Sequence, residues 1–180
     1  MVYIYMADGF EEVEAITVAD LLSRGGIPVE TVSVVKREEV TGAHGIRVIA
    51  DILYEDADHE KCEMIVLPGG GDGARRLLAH ESVERQLADF AGKGKWIAAI
   101  CAAPMILSRH GLLAGREATI YRGMEAELKD ARYRDEDVVV SGNIITSRGP
   151  GTAMSFSLKL IEILRGEKTA AQVKDRLLIS

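Results

Sequence analysis

Wholly apolar runs of four or five residues alternate along the chain with longer stretches in which apolar positions recur at helical spacing. Short apolar runs bounded by glycine or polar turns are typical of strands buried on both faces, whereas the recurring positions predict amphipathic helices. Their alternation predicts an α/β domain in which helices cover a mostly parallel sheet. The predicted strands are residues 2–6, 64–67 and 96–100, together with residues 29–35, which are predicted from their β-branched residues. The predicted helices are residues 11–24, 81–92 and 155–164.

Weaker patterns fill the rest of the chain. The stretch 40–52 predicts a hairpin, with Gly42 and Gly45 as turn candidates. Residues 102–109 predict a short helix because Pro104 is tolerated in a first helical turn. Further predictions are strands at residues 118–121, 138–140 and 144–146, and a helix at residues 169–178.

The order of these elements also predicts where a ligand would bind. In parallel α/β sheets, ligands lie beyond the carboxyl ends of the strands. The loops that follow Met6, Leu67 and Ile100 are therefore expected to meet in one crevice.

Composition narrows the function classes. The 180 residues, with a net charge of -6, fit one domain over residues 1–180 and lack the basic face that nucleic acids require. No stretch approaches the roughly 20 apolar residues of a membrane span, and the N-terminus does not resemble a signal peptide. We therefore expect a cytoplasmic protein without nucleic-acid or membrane partners. Two cysteines without metal-type spacing predict neither a disulfide framework nor a metal site.

Cys101 is the strongest candidate for chemistry. It directly follows the apolar run WIAAI and precedes a predicted helix, an arrangement similar to a nucleophile elbow. Backbone amides at a helix start stabilise a thiolate. A small buried hydrophobe is the alternative interpretation, and position alone leaves both open. Cys62 has no comparable setting, so we expect no chemical role for it.

Glu14 is the candidate partner of this thiol. Glu11, Glu12 and Glu14 crowd the first turn of a predicted helix, where the helix dipole alone favours carboxylates. Glu14 also lies at the start of the apolar stripe and could point inward. Burial would then raise its pKa and make it a hydrogen-bond donor.

Two glycine-containing segments are less specific. LPGGGDG at residues 67–73 could present backbone amides as an oxyanion pocket facing Cys101, or could be a plain tight turn. SRGPGT at residues 147–152 indicates only a helix start. A histidine base is missing from the pattern, because His44, His59, His80 and His110 all lie away from Cys101 in the sequence.

Five segments together resemble the ThiJ/PfpI superfamily, and within it the parkinsonism-associated DJ-one branch. They are ADGFEEVEAITVADLLSRGGI, VLPGGGDGA, AAICAAP, ITSRGPGT and AAQVK, and they occur in the order and spacing of the family from residue 1 to about residue 178. The resemblance implies a flavodoxin-like three-layer α/β sandwich with a mostly parallel central sheet, usually assembled as a homodimer.

The resemblance also implies roles for individual residues. Cys101 matches the reactive, easily oxidised cysteine, and Glu14 matches the protonated glutamate that hydrogen-bonds its sulfur. Gly69 and Gly70 match the glycines whose amides line the pocket. Arg24 matches an arginine near the dimer interface and is grouped with the pocket residues; the alternative is that its charge caps a helix end.

Two positions depart from neighbouring branches. Tyr121 stands where the human-type branch carries a histidine near the pocket, so the resemblance implies a pocket position for it. Tyrosine can donate a hydrogen bond but is a poor general base near neutral pH. Ala102 stands where the protease-like branch has a histidine after its cysteine, which makes peptidase activity unexpected. The Ala102 amide is counted with those of Gly69 and Gly70 as part of the oxyanion pocket.

The implied function is that of a glyoxalase converting methylglyoxal to lactate without glutathione, or of a deglycase acting on early glycation adducts. Its partner would be a small reactive carbonyl compound or a glycated protein, and no metal or organic cofactor is required. The alternatives are a redox sensor that works through oxidation of Cys101 and a structural subunit with an inert thiol. These hypotheses share their residues, so the sequence does not separate them.

Overall fold

The protein, described here from a computed structural model over residues 1–179, is built around a sheet whose seven strands run in the order β10-β11-β7-β6-β1-β2-β5. The neighbours are parallel except for β10, which is antiparallel to β11 at one edge. The strands are β1 (Val2–Met6), β2 (Val29–Ser33), β5 (Ile52–Leu53), β6 (Met64–Leu67), β7 (Trp96–Ile100), β10 (Val138–Ser141) and β11 (Ile144–Ser147).

Helices cover the sheet in two groups. In one group α5 packs against both α1 and α6, and in the other α2 packs against α3 and α4. The central strands β1 and β6 are buried at every position, as expected for strands covered on both faces. The helices are α1 (Glu12–Arg24), α2 (Gly71–Leu78), α3 (Glu81–Gly92), α4 (Pro104–Arg109), α5 (Ala153–Arg165) and α6 (Glu167–Arg176). The predicted flavodoxin-like three-layer sandwich is confirmed.

Two small ribbons lie outside the main sheet. The hairpin β3 (Glu39–Thr41) and β4 (Arg47–Ile49) forms as predicted. β8 (Glu117–Ala118) pairs in parallel with β9 (Arg132–Tyr133), so the strand predicted at residues 118–121 is shorter and ends before the pocket described below.

Helix α2 was not predicted, because its glycines suggest a turn. Gly73 is instead required for packing, since a Cβ there would lie 2.7 Å from the backbone nitrogen of Phe10. Helix α4 begins at Pro104, later than predicted, because Ala102 and Ala103 form the turn after β7.

Candidate active site

Cys101 occupies a sharp turn directly after β7. Its φ of 64° lies in the left-handed region, which costs a non-glycine residue roughly 1–2 kcal/mol. The backbone is held there on both sides, because the Cys101 nitrogen donates to the Ser147 oxygen at 3.0 Å and its oxygen accepts from the Tyr121 nitrogen at 2.9 Å. The strand-to-helix turn expected from the sequence is present, and it leaves the side chain 8% exposed.

Glu14 lies beside this thiol inside the protein. Its side chain is fully buried, and Oε2 accepts the Gly69 N–H at 2.7 Å. Within residues 1–179 its other oxygen, Oε1, has no hydrogen-bond partner. Gly69 lies between the two side chains. A Cβ at Gly69 would lie 2.5 Å from the Cys101 Cβ and 2.7 Å from Glu14 Oε2. The carboxyl group and the thiol are therefore immediate neighbours.

Burial raises the pKa of Glu14 to about 7, although the hydrogen bond from the Gly69 amide and the neighbouring Cys101 thiol act in the opposite direction. Burial also raises the pKa of Cys101 to about 12, and the adjacent Glu14 carboxylate adds to the effect. The Gly70 and Ala102 amides oppose that rise. Because a negative charge on either group raises the proton affinity of the other, protonation of Glu14 favours the Cys101 thiolate.

Cys101 lines a pocket of about 340 Å³. Two of the three expected oxyanion groups, Gly70 and Ala102, line it. Gly69 does not contribute its amide, because that N–H is used by Glu14. The lining residues are Glu11, Ala43, His44, Gly70, Gly71, Cys101, Ala102, Tyr121, Met124 and Pro150. They come from the predicted loops after β1, β6 and β7, joined by the β3–β4 hairpin and the segments around Tyr121 and Pro150.

Tyr121 and Arg24 have different locations. Tyr121 lines the pocket with its side chain half-exposed. Arg24 lies in the last turn of α1, exposed and paired with Asp20 at 2.7 Å. It does not line the pocket, so the prediction that groups Arg24 with the pocket residues is wrong.

Cys62 lies away from this site. It lies just before β6, at the amino ends of the parallel strands. Its sulfur donates to the Met64 oxygen at 3.0 Å. Burial raises its pKa to about 11. Both cysteines are free thiols.

His44 is the pocket residue that the sequence analysis missed. It lies in the turn of the β3–β4 hairpin, which folds over the start of α1. Glu12 Oε1 accepts the His44 backbone N–H at 2.8 Å, and Oε2 lies 2.9 Å from the ring Nδ1. One carboxylate oxygen each of Glu11 and Glu12 and a ring nitrogen of His44 lie within 4.8 Å of one another. The pairing of His44 with the carboxylates explains this cluster. The sequence offered one indication of this position. The hairpin follows the carboxyl end of β2, so it lies at the same end of the parallel strands as the pocket.

The chain is similar to known proteins along most of its length. The model of the DJ-1/PfpI family matches residues 1–163. The chain belongs to the DJ-1/PfpI family. It is similar to Protein dj-1beta of Drosophila melanogaster, with 36% identity over 179 residues that cover 98% of this chain and 96% of that protein. The crystal structure of Drosophila DJ-1beta has a TM-score of 0.96, with 36% identity and coverage of 99% of this chain and 97% of that chain.

Two other DJ-1/PfpI relatives carry names that describe an activity. The glutathione-independent glyoxalase DJR-1.2 of Caenorhabditis elegans is 36% identical over 166 residues, covering 91% of this chain and 88% of that protein. A deglycase of Pyrococcus abyssi is 36% identical over 166 residues, covering 91% and 99%.

The chain is also similar to a longer relative and to a second solved structure. The chain spans only 40% of Protein DJ-1 homolog B of Arabidopsis thaliana, with 35% identity over 97% of this chain. The structure described as Toxoplasma gondii DJ-1, oxidized, has a TM-score of 0.94, with 36% identity and coverage of 98% and 97%. Within residues 1–179, no helix combines the length and apolarity needed to cross a membrane.

Replacing Gly69 by alanine is expected to disrupt the site, because the new Cβ would overlap Cys101 and Glu14. Overpacking of this kind costs about 1–3 kcal/mol. Urea denaturation should show that loss of stability, together with at least a tenfold drop in activity. Gly92→Ala is the matched control, since its Cβ meets nothing within 4 Å in the part of the chain described. Wild-type stability and activity in Gly69→Ala would contradict the contact geometry.

The raised pKa of Glu14 predicts a pH-dependent stability. Between the ordinary value of 4.5 and about 7, the folded protein retains a proton that the unfolded chain has released. Stability from this group is complete below pH 4.5 and is lost as the pH rises through about 7, by roughly 3 kcal/mol in total. Urea denaturation of wild type and Glu14→Gln should show that difference developing over this window. A constant difference would contradict the raised pKa.

Proposed function

We propose that this protein is a cysteine-dependent, cofactor-independent glyoxalase that converts methylglyoxal-type 2-oxoaldehydes to 2-hydroxy acids, with early glycation adducts as a related substrate class. The observation that carries the proposal is the Cys101 thiol at an open pocket with the buried Glu14 carboxyl group held beside it across Gly69. The names of the Caenorhabditis glyoxalase and the Pyrococcus deglycase support it.

The first step is addition of the thiol to the aldehyde. The sulfur forms a bond to the aldehyde carbon, C1, while the thiol proton passes through Glu14 to the carbonyl oxygen. The Gly70 and Ala102 amides, which oppose the rise in the thiol pKa, would stabilise negative charge that develops on that oxygen. The product is a hemithioacetal, and Glu14 is left as a carboxylate.

The second step moves hydrogen between the two substrate carbons. Glu14 removes the proton from C1, the electron pair forms a C1–C2 double bond, and the ketone oxygen takes up a proton to give an enediol. Glu14 then delivers its proton to C2, and C1 becomes a thioester as its hydroxyl proton leaves. A carboxyl group with a pKa near 7 can both accept and donate in this way.

The third step is hydrolysis. Water adds to the thioester carbon, one of its protons reaches the departing sulfur by way of Glu14, and the 2-hydroxy acid leaves. C1 is oxidised and C2 is reduced within one molecule, and water supplies the added oxygen. The reaction as written requires no external oxidant, reductant or metal.

The assembly and location are part of the same proposal. Exposed apolar side chains of α1, Val13 and Ile16, and of the hairpin region, Ile46 and Ile49, offer a surface that a homodimer would cover. Two free cysteines fit a reducing cytoplasm.

A redox-sensing role of the same thiol is the second candidate. The oxidized Toxoplasma DJ-1 structure favours it, as do the amides and the carboxyl group that surround the Cys101 sulfur. Two equivalents of hydrogen peroxide, each reduced to water, would convert the thiol to a sulfinic acid. Mild peroxide should increase the mass of the Cys101 peptide, and an unchanged mass would contradict this role.

The test of the glyoxalase proposal is a product balance in buffer that contains EDTA and no glutathione. Purified protein should form one lactate for each methylglyoxal consumed. Consumption without lactate would show only adduct formation with side chains and would contradict the proposal.

A further inference from the structure

His44 is tied to the pocket by contacts from a distant part of the chain. Glu12 holds it at two points, the backbone N–H and the ring Nδ1. The Glu12 side chain is 8% exposed and the imidazole is 69% exposed, so a buried carboxylate orients a ring that stands in the open pocket. The turn is built for this contact, because a Cβ at Gly42 would lie 2.2 Å from Glu12 Oε1.

This pairing fixes which ring nitrogen is available. With Nδ1–H donated to Glu12, a neutral ring presents the Nε2 lone pair to solvent, and a protonated ring presents Nε2–H. A carboxylate behind one nitrogen of an imidazole orients the other nitrogen for proton transfer. The pocket that contains the Cys101 thiol therefore also contains an oriented acid–base group.

We propose that His44 is the acid–base residue that transfers protons to and from the substrate oxygens in the Cys101 pocket. This assignment rests on the proposed glyoxalase function and supplies a step that Glu14 leaves open. Glu14 moves the proton between C1 and C2, but the ketone oxygen needs a separate donor.

The balance of the step is simple. As Glu14 takes the C1 proton, imidazolium Nε2–H gives its proton to the ketone oxygen, and the ring becomes neutral. When Glu14 returns its proton to C2, neutral Nε2 takes the hydroxyl proton of C1, and the thioester carbonyl forms. His44 ends each cycle as an imidazolium, so no net proton is lost.

The charges around the ring favour its protonated form. Two carboxylates of the α1 start, Glu11 and Glu12, face Nδ1 at 3.8 Å and 2.9 Å. The hydrogen bond to Glu12, with the charges of both carboxylates, raises the pKa of His44. On its own hairpin Arg47 pairs with Glu39 at 3.8 Å instead. The titratable groups that line the pocket together with the ring are Glu11, Cys101 and Tyr121.

The experiment measures kcat and KM for methylglyoxal against pH, in EDTA, with wild type and His44→Gln. We expect His44→Gln to lower kcat about a hundredfold or more, with KM little changed and the rate of Cys101 alkylation unchanged. Wild-type activity should decline at alkaline pH as the imidazolium is lost, and His44→Gln should lack that decline. Glu12→Gln should move the decline to lower pH, because the carboxylate that raises the His44 pKa is gone.

Two further variants separate chemistry from structure. Added imidazole should restore part of the activity of His44→Ala, which a purely structural role would not allow. Arg47→Gln, an exposed change on the same hairpin, should behave as wild type. Three results would overturn the assignment. The first is equal activity of His44→Gln and an active wild type, and the second is loss of the alkaline decline in Tyr121→Phe instead. The third is loss of wild-type activity in EDTA. If wild type is no faster than Cys101→Ser, the glyoxalase function itself fails and the assignment falls with it.

Discussion

Cys101→Ser is expected to abolish methylglyoxal conversion, with kcat/KM at least about a thousandfold below wild type. Serine is nearly isosteric and keeps the left-handed turn, so the fold and the pocket should persist. A hydroxyl is a far weaker nucleophile than a thiol whose proton can pass to an adjacent carboxylate. The measurement is the steady-state rate of methylglyoxal loss.

Cys62→Ser is the matched control for this change. A serine hydroxyl can donate to the Met64 oxygen as the Cys62 thiol does, and position 62 lies at the opposite edge of the sheet. Wild-type activity is expected. Equal activity of wild type and Cys101→Ser would end the case for a thiol mechanism.

Glu14→Gln is expected to lower kcat by about two to four orders of magnitude. The amide oxygen of glutamine can still accept the Gly69 N–H, so the geometry at Oε2 is retained. Glutamine cannot exchange a proton between the two substrate carbons. The variant therefore removes proton transfer while it preserves packing.

The same variant should alter the thiol in the opposite direction. The Glu14 carboxylate contributes to the raised pKa of Cys101, so its removal should lower that pKa and speed alkylation at neutral pH. Slow turnover with fast alkylation is the expected signature. Glu55→Gln, on an exposed residue, is the control, and a parallel loss of turnover and alkylation in Glu14→Gln would indicate a merely structural role for Glu14.

Much of the fold was predictable because its signals are local. The apolar runs that became β1, β6 and β7 have few alternatives as buried strands, and they lead directly to the loops around Cys101. Helix α2 was missed because Gly73 satisfies a close approach to the backbone at Phe10, which is distant in sequence. Tertiary contact decided between turn and helix there.

The site likewise combines residues that local sequence patterns indicate with contacts that are distant in sequence. Cys101 and Glu14 could be nominated from their positions on predicted elements and from the resemblance. The use of the Gly69 amide by Glu14 and the approach of His44 to Glu12 depend on contacts 55 and 32 residues apart. No local pattern reports such contacts, and the residue types alone favoured neither.

The most direct test of the account is native mass spectrometry of the intact protein sampled during methylglyoxal turnover. A covalent substrate adduct should appear on wild type and on Cys62→Ser, be absent from Cys101→Ser, and accumulate in Glu14→Gln, where the following proton transfer is slow. Sustained lactate formation with the same adduct pattern in wild type and Cys101→Ser would contradict the account.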